Sequence, residues 1–236
     1  MLRFSVFGIP VGLHWTFALI GIIAIGRNPI ELVVAFVVGV FIAVLAHELG
    51  HALTARTFGA RPVKITLMGL GGLTQYPVTP QLTPGRRFLI AASGSAVGMT
   101  LGGAVFLLRN TEFARDLFDY GYMIGVGIVI AGLVWGALNW LPILPLDGGN
   151  MVWHALEIVT PRHALRIAKG LTIVSAAAVM YLAINLWDNT FGAVFVAIIA
   201  LQGLQTRDPN AAQPRPQPSS ADDSSLLSIF DKPRKD

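Results

Sequence analysis

The chain has no cysteine among its 236 residues. Disulfides, cysteine metal ligands and a thiol nucleophile are therefore excluded. Charge is scarce as well. Asp, Glu, Lys and Arg make up 13% of the residues, about half the share usual in soluble domains, while 54% are hydrophobic. Residues 4–26, 32–46, 88–108, 120–146, 171–187 and 189–206 carry no charge at all. Most of these runs reach the ~17–25 residues that a spanning helix needs. The second reaches that length once it continues through Thr54. The pattern implies a polytopic α-helical membrane protein with about six transmembrane helices, and it leaves no room for a large soluble domain. Residues 1–26 end in no small-residue cleavage site and have too long an apolar run for a signal peptide, so they read as a retained first helix.

Topology follows from the basic residues. With the N-terminus inside, only Arg27, Arg109 and Arg115 fall in outer loops, and the other 14 of the 17 Lys and Arg lie inside. This predicts a multi-pass protein of the cell membrane with both termini cytoplasmic. The formal charge of +4 is then a topology signal, and nothing points to nucleic-acid binding. After Thr206 the composition turns to Pro, Ser, Gln and charge. Residues 1–206 therefore read as a membrane domain and 207–236 as a disordered cytoplasmic tail.

Within this apolar background, three polar side chains arrive in five positions: His47-Glu48-Leu49-Gly50-His51. On a helix the two histidines, four apart, share one face. Their imidazoles can ligate one Zn²⁺, with Glu48 facing the remaining coordination position. Ionisable residues at membrane depth are costly and mark function by default. A catalytic zinc site with two histidines needs a third protein ligand. The best candidate is Asp147, at the end of the long charge-free run 120–146. Helices two and four are both expected to finish on the inner face, so the two motifs can meet there. His47 precedes Arg56 by nine residues, or about 13–14 Å of helix, which places a metal below the inner surface.

Other segments read as scaffolding. Pro29 opens the second helix and Gly59 closes it. Residues 62–77 are too short and glycine-rich to span. Their two β-leaning pieces around Gly69–Gly72 suggest a small membrane-associated β-hairpin between helices two and three, or an ordinary loop. Residues 88–108 are rich in Gly, Ala and Ser and read as a close-packed structural helix. His14, His154 and His163 are expected to be packed or solvated near the inner surface.

His-Glu-x-x-His ending one apolar span is followed by Asn139-x-x-Pro142-x-x-Pro145-Leu146-Asp147-Gly148-Gly149 ending another. With these motifs the chain resembles the site-2 proteases, intramembrane zinc metalloproteases, over roughly residues 7–166, in a minimal form without PDZ or CBS domains. The resemblance implies one Zn²⁺ per chain on His47, His51 and Asp147, and Glu48 as general base and then acid. It implies a supporting role for Asn139 toward the oxyanion or substrate backbone. It also implies a single-span membrane-protein substrate, such as an anti-sigma factor, a membrane-tethered regulator or a signal-peptide remnant, and a regulatory membrane partner. One departure lies in the third helix, where Val97 stands at a position often occupied by asparagine, so polar help from that helix is not expected. Two other classes stay open on the residues: a metal-ion transporter or sensor using the same ligands, and an inactive membrane scaffold. A transporter would favour internal repeats, and none is evident.

Overall fold

The computed structural model describes residues 1–24, 29–69, 71–108, 111 and 121–207. The expected outer loop 109–119 lies outside these, Thr111 aside, as does the expected tail beyond Arg207. Among the described residues, four helices are long and apolar enough to cross a membrane. They are α2 (Ile30–Thr57), α3 (Pro84–Leu108), α4 (Gly121–Val129, through a π-helical turn Ile130–Val134 to Trp135–Asn139) and α6 (Ala164–Trp187). The shorter α5 (Asp147–Val159) follows the proline loop, and the apolar α7 (Thr190–Leu204) ends the described chain. At 1.5 Å per residue, the 28 residues of α2 reach about 42 Å, longer than a bilayer's hydrocarbon core.

The N-terminal segment corrects the sequence reading. Instead of a first spanning helix, it forms β1 (Leu2–Val6) and β2 (Ile9–Leu13), then a 3₁₀ turn (Trp15–Ile20) and the one-turn helix α1 (Gly21–Ala24). The cause is local. Gly8, Pro10 and Gly12 alternate through the strand, and each glycine costs a helix about 1 kcal/mol and a proline about 3. Phe7 (φ 51°) and Gly8 (φ 69°) both take left-handed angles, as the two-residue turn joining Val6 to Ile9 requires. His14 caps the 3₁₀ turn by accepting from the Thr16 backbone N–H.

After α2, the chain forms β3 (Lys64–Met68) and β4 (Gly71–Gln75), paired antiparallel. β2 and β3 pair in parallel, giving one four-stranded sheet in the order β1-β2-β3-β4. The sheet runs alongside the second half of α2. Arg56 near its C-terminal end donates to the Phe7 carbonyl at 2.6 Å, and Thr74 on β4 reaches the Glu48 carbonyl at 3.1 Å. Ile9, Val11, Ile65 and Leu67 are buried in one apolar cluster with Ala52 and Ala55 of α2.

The helices close through small residues. A Cβ at Gly39 would strike the backbone of Ile124, and one at Gly50 the backbone of Ser93. Without side chains in the way, α2 lies against α4 and α3 at backbone contact, which is how helices associate where lipid offers no hydrophobic drive. The outward faces stay apolar, with Val34, Val38, Ile173 and Val174 exposed. α6 ends at Asp188 in a left-handed conformation, and Asn189 caps α7 through Gly192 N–H at 2.8 Å.

One polar cluster is unexpected. Arg87 of α3 is buried and pairs with Glu157 of α5 at 3.2 Å, while His154 Nδ1 meets the same carboxylate at 2.7 Å. The sequence reading counted Arg87 among the inner-loop topology charges and expected His154 to be packed or solvated near the inner surface. Arg87 ties α3 to α5 through Glu157, and His154 supports that carboxylate from within α5.

Candidate metal centre

Asp147 is delivered by a loop with little freedom. Leu144 is fully buried, and its N–H is held by the Thr172 hydroxyl of α6 at 3.0 Å. Gly148 and Gly149 pack directly on the backbone of Trp140–Leu141 and Ile143–Leu144, where a Cβ would overlap. The turn therefore tightens until Asp147 becomes the first residue of α5, an end of a helix that favours a carboxylate.

The structure brings His47, His51 and Asp147 together. His47 Nε2 lies 3.3 Å from Asp147 Oδ2, and His51 Nε2 lies 3.3 Å from Asp147 Oδ1. The two Nε2 atoms are 3.1 Å apart. A tetrahedral zinc with bonds of 2.0–2.1 Å keeps its ligand atoms about 3.3–3.4 Å apart. The two Asp147 distances run to different oxygens, and one ligand atom from each of the three residues lies within 4.8 Å of the others, so these donors, of the right chemical kinds, fit a zinc ion. His51 Nδ1 sits 2.7 Å from the Ile90 carbonyl, which can only accept, so Nδ1 carries the proton and Nε2 keeps its lone pair for metal. The three side chains are only 11–14% exposed.

Glu48 is buried next to this group and contributes none of the three ligand atoms. Its Oε2 accepts from the Thr74 hydroxyl at 2.6 Å. Gly72 lies so close that a Cβ there would overlap the Glu48 carboxyl group. β4 thus covers the glutamate. Beyond β4, burial pushes the Tyr76 phenol above its ordinary range, with Arg87 opposing and Asp147 adding to the shift. Tyr76 is therefore a neutral hydroxyl at neutral pH.

Sequence reasoning missed α3. That helix was read as structural only, yet four of its residues touch the centre. Ile90 orients His51, Gly94 leaves the space that the His51 ring fills, and Gly98 lies against His47. Ser95 donates to Asp147 Oδ2 at 2.6 Å. Val97 is 41% exposed, so its lack of polarity costs the centre nothing. The available signal was the pair of serines, Ser93 and Ser95, that flank Gly94 within the charge-free run 88–108. Asn139 ends α4 in a half-buried position, and its side chain has no hydrogen-bond partner among the described residues.

The model of peptidase family M50 matches residues 35–118, which include His47, Glu48, His51 and all of α3. Rip2 of Mycobacterium tuberculosis is 31% identical over 193 residues, covering 66% of this chain and 73% of that protein. The chain belongs to peptidase family M50. Zinc metalloprotease MJ0392 of Methanocaldococcus jannaschii, also similar, is 30% identical over 180 residues, which are 72% of this chain and 51% of the relative. The chain thus matches about half the length of that relative. The solved site-2 protease from the same organism shares the fold, with a TM-score of 0.59 over 88% of this chain and 96% of its own at 23% identity. In this M50 member the family match stops before Asp147. It is the folding of α5 against α3 that adds the third donor.

Proposed function

We propose that the chain is a zinc-dependent intramembrane endopeptidase, which hydrolyses peptide bonds within or near transmembrane segments of membrane proteins. The observation that carries this is the convergence of His47, His51 and Asp147 with a buried carboxylate, Glu48, beside them and outside the ligand set. His47 and His51 lie inside the apolar helix α2. A transporter needs the ligands and has no use for Glu48.

His47 Nε2, His51 Nε2 and Asp147 would hold the zinc, which when bound acidifies water toward neutral pH and polarises a carbonyl. Glu48 takes the proton from the attacking water and returns it to the leaving amine. A carboxylate has acceptor sites beyond the one that Thr74 fills on Oε2, so Glu48 can take the proton with that hydrogen bond in place. Asn139, with its amide uncommitted, hydrogen-bonds the substrate backbone or the oxyanion. β4, an edge strand over Glu48, lies where an extended substrate would enter. A substrate helix must unwind there, because its amides are otherwise satisfied internally.

Substrates of this kind are single-span proteins in the same bilayer, such as an anti-sigma factor, a membrane-tethered regulator or a signal-peptide remnant. A regulatory membrane partner would select among them. The four long helices and α7 cross the cell membrane with the sheet on the cytoplasmic side. These five crossings alone would leave the termini on opposite faces, so the cytoplasmic placement of both requires one more crossing between β2 and α2. The tail expected from residue 207 lies beyond the described residues, Arg207 aside. The bias of Lys and Arg supports this orientation.

The test is cleavage of a panel of single-span substrates in liposomes by the parent, by chelator-treated protein and by Glu48→Gln. Cleavage by the parent alone is expected. Zinc flux across the liposome without any cleavage would overturn the reading in favour of transport.

A further inference from the structure

We propose that Ser95 is a positioning residue of the metal centre and acts through Asp147. The inference rests on the reading that His47, His51 and Asp147 hold zinc. Ser95 lies in the middle of α3 and is wholly buried. A hydroxyl inside an apolar helix ordinarily returns its proton to a carbonyl one turn back. Thr100 does so toward Ala96 at 2.7 Å, Thr172 toward Ala168 at 2.9 Å, and Ser93 toward Ile90 at 2.7 Å while also reaching the Gly50 carbonyl of α2 at 3.0 Å. Ser95 instead donates across the helix interface to Asp147 Oδ2 at 2.6 Å. An ionised carboxylate only accepts, so the direction of this bond is settled, and its length is that of a charge-assisted hydrogen bond.

The consequence is rotational. Asp147 opens α5 after the proline loop, so its backbone is held but its carboxyl group can turn about the side-chain bonds. With Oδ2 fixed by Ser95, Oδ2 faces His47 and Oδ1 faces His51, each at 3.3 Å. α3 supplies no ligand, yet it orients two of the three: His51 through the Ile90 carbonyl and Asp147 through Ser95. Partners of this kind typically account for about 10–100-fold in metal affinity.

The experiment measures zinc affinity of the full chain in detergent, by competition with a chromophoric chelator and without substrate. Four proteins form a cycle: parent, Ser95→Ala, Asp147→Asn and the double variant. Unfolding of the chelator-treated proteins is followed in parallel. Ser95→Ala is expected to weaken zinc binding by about 10–100-fold in the parent and by less than about 3-fold when Asp147 is already Asn, because the two side chains act as one unit. An equal loss in both backgrounds overturns the proposal, because Ser95 would then act by packing. Unchanged zinc affinity with a lowered unfolding midpoint also overturns it and leaves the zinc reading intact. Failure of the parent to bind zinc overturns both.

Discussion

Glu48→Gln separates holding the metal from moving the proton. The amide is nearly isosteric but cannot take a proton from water. Zinc content should stay near one equivalent per chain while cleavage falls by about 10²–10⁴-fold. Metal analysis beside the cleavage assay checks both halves, and a variant that cleaves at the parental rate would remove Glu48 from the mechanism. His47→Ala/His51→Ala should lose bound zinc altogether, since a lone aspartate remains of the three donors. A further prediction concerns Arg87, whose side chain is 8% exposed against a Glu157 side chain that is 9% exposed. Arg87→Met strands that carboxylate with His154 as its remaining partner, at an expected cost of about 3–5 kcal/mol. The lowered unfolding midpoint should recover largely in Arg87→Met/Glu157→Leu, which removes both buried charges. At this scale the metal donors were legible from the sequence, because His47 and His51 sit in an apolar helix with no other reason to be there. Ser95 and Thr74 were not. A hydroxyl carries no sign of which distant carboxylate it will meet.

The elements carry their own test, in the glycines of α3. Gly94 admits the His51 ring, and a Cβ there would overlap the imidazole. Gly94→Ala should displace His51 and weaken zinc binding by at least about 10-fold, as loss of ligand orientation does. Gly170 of α6 faces open space. Gly170→Ala is the control. It should leave zinc affinity alone and raise helix stability by up to about 1 kcal/mol. Measuring both variants with the same chelator competition distinguishes a ring displaced from a helix merely altered. Helix content was readable wherever apolar runs reached spanning length without breakers, as in residues 32–54. It failed in the first 13 residues, where hydropathy outweighed the alternation of Gly8, Pro10 and Gly12. An apolar strand can be as poor in charge as a spanning helix, so hydropathy alone cannot separate them.

For the whole molecule the open question is sidedness. The absence of cysteine makes the test direct. Arg61→Cys places a single thiol at an exposed position between α2 and β3. It should react with a membrane-impermeant maleimide only after cells are opened. Labelling from outside intact cells would reverse the proposed topology.

Composition and spacing were enough to determine that the chain is a helical membrane protein, and that two histidines and a glutamate share one helix turn within it. Those are local properties: hydropathy is summed over neighbours, and helix periodicity converts a spacing of four into a shared face. The third donor could only be nominated, since Asp147 lies 96 residues after His51 and no periodicity spans that gap. Its meeting with the histidines was decided by tertiary packing. The Thr172 hydroxyl and the backbone contacts of Gly148 and Gly149 hold the proline loop, and Ser95 receives the carboxylate that the loop delivers. The cover of β4 over Glu48 was decided in the same way, because sheet pairing between β2 and β3 joins residues far apart in the chain.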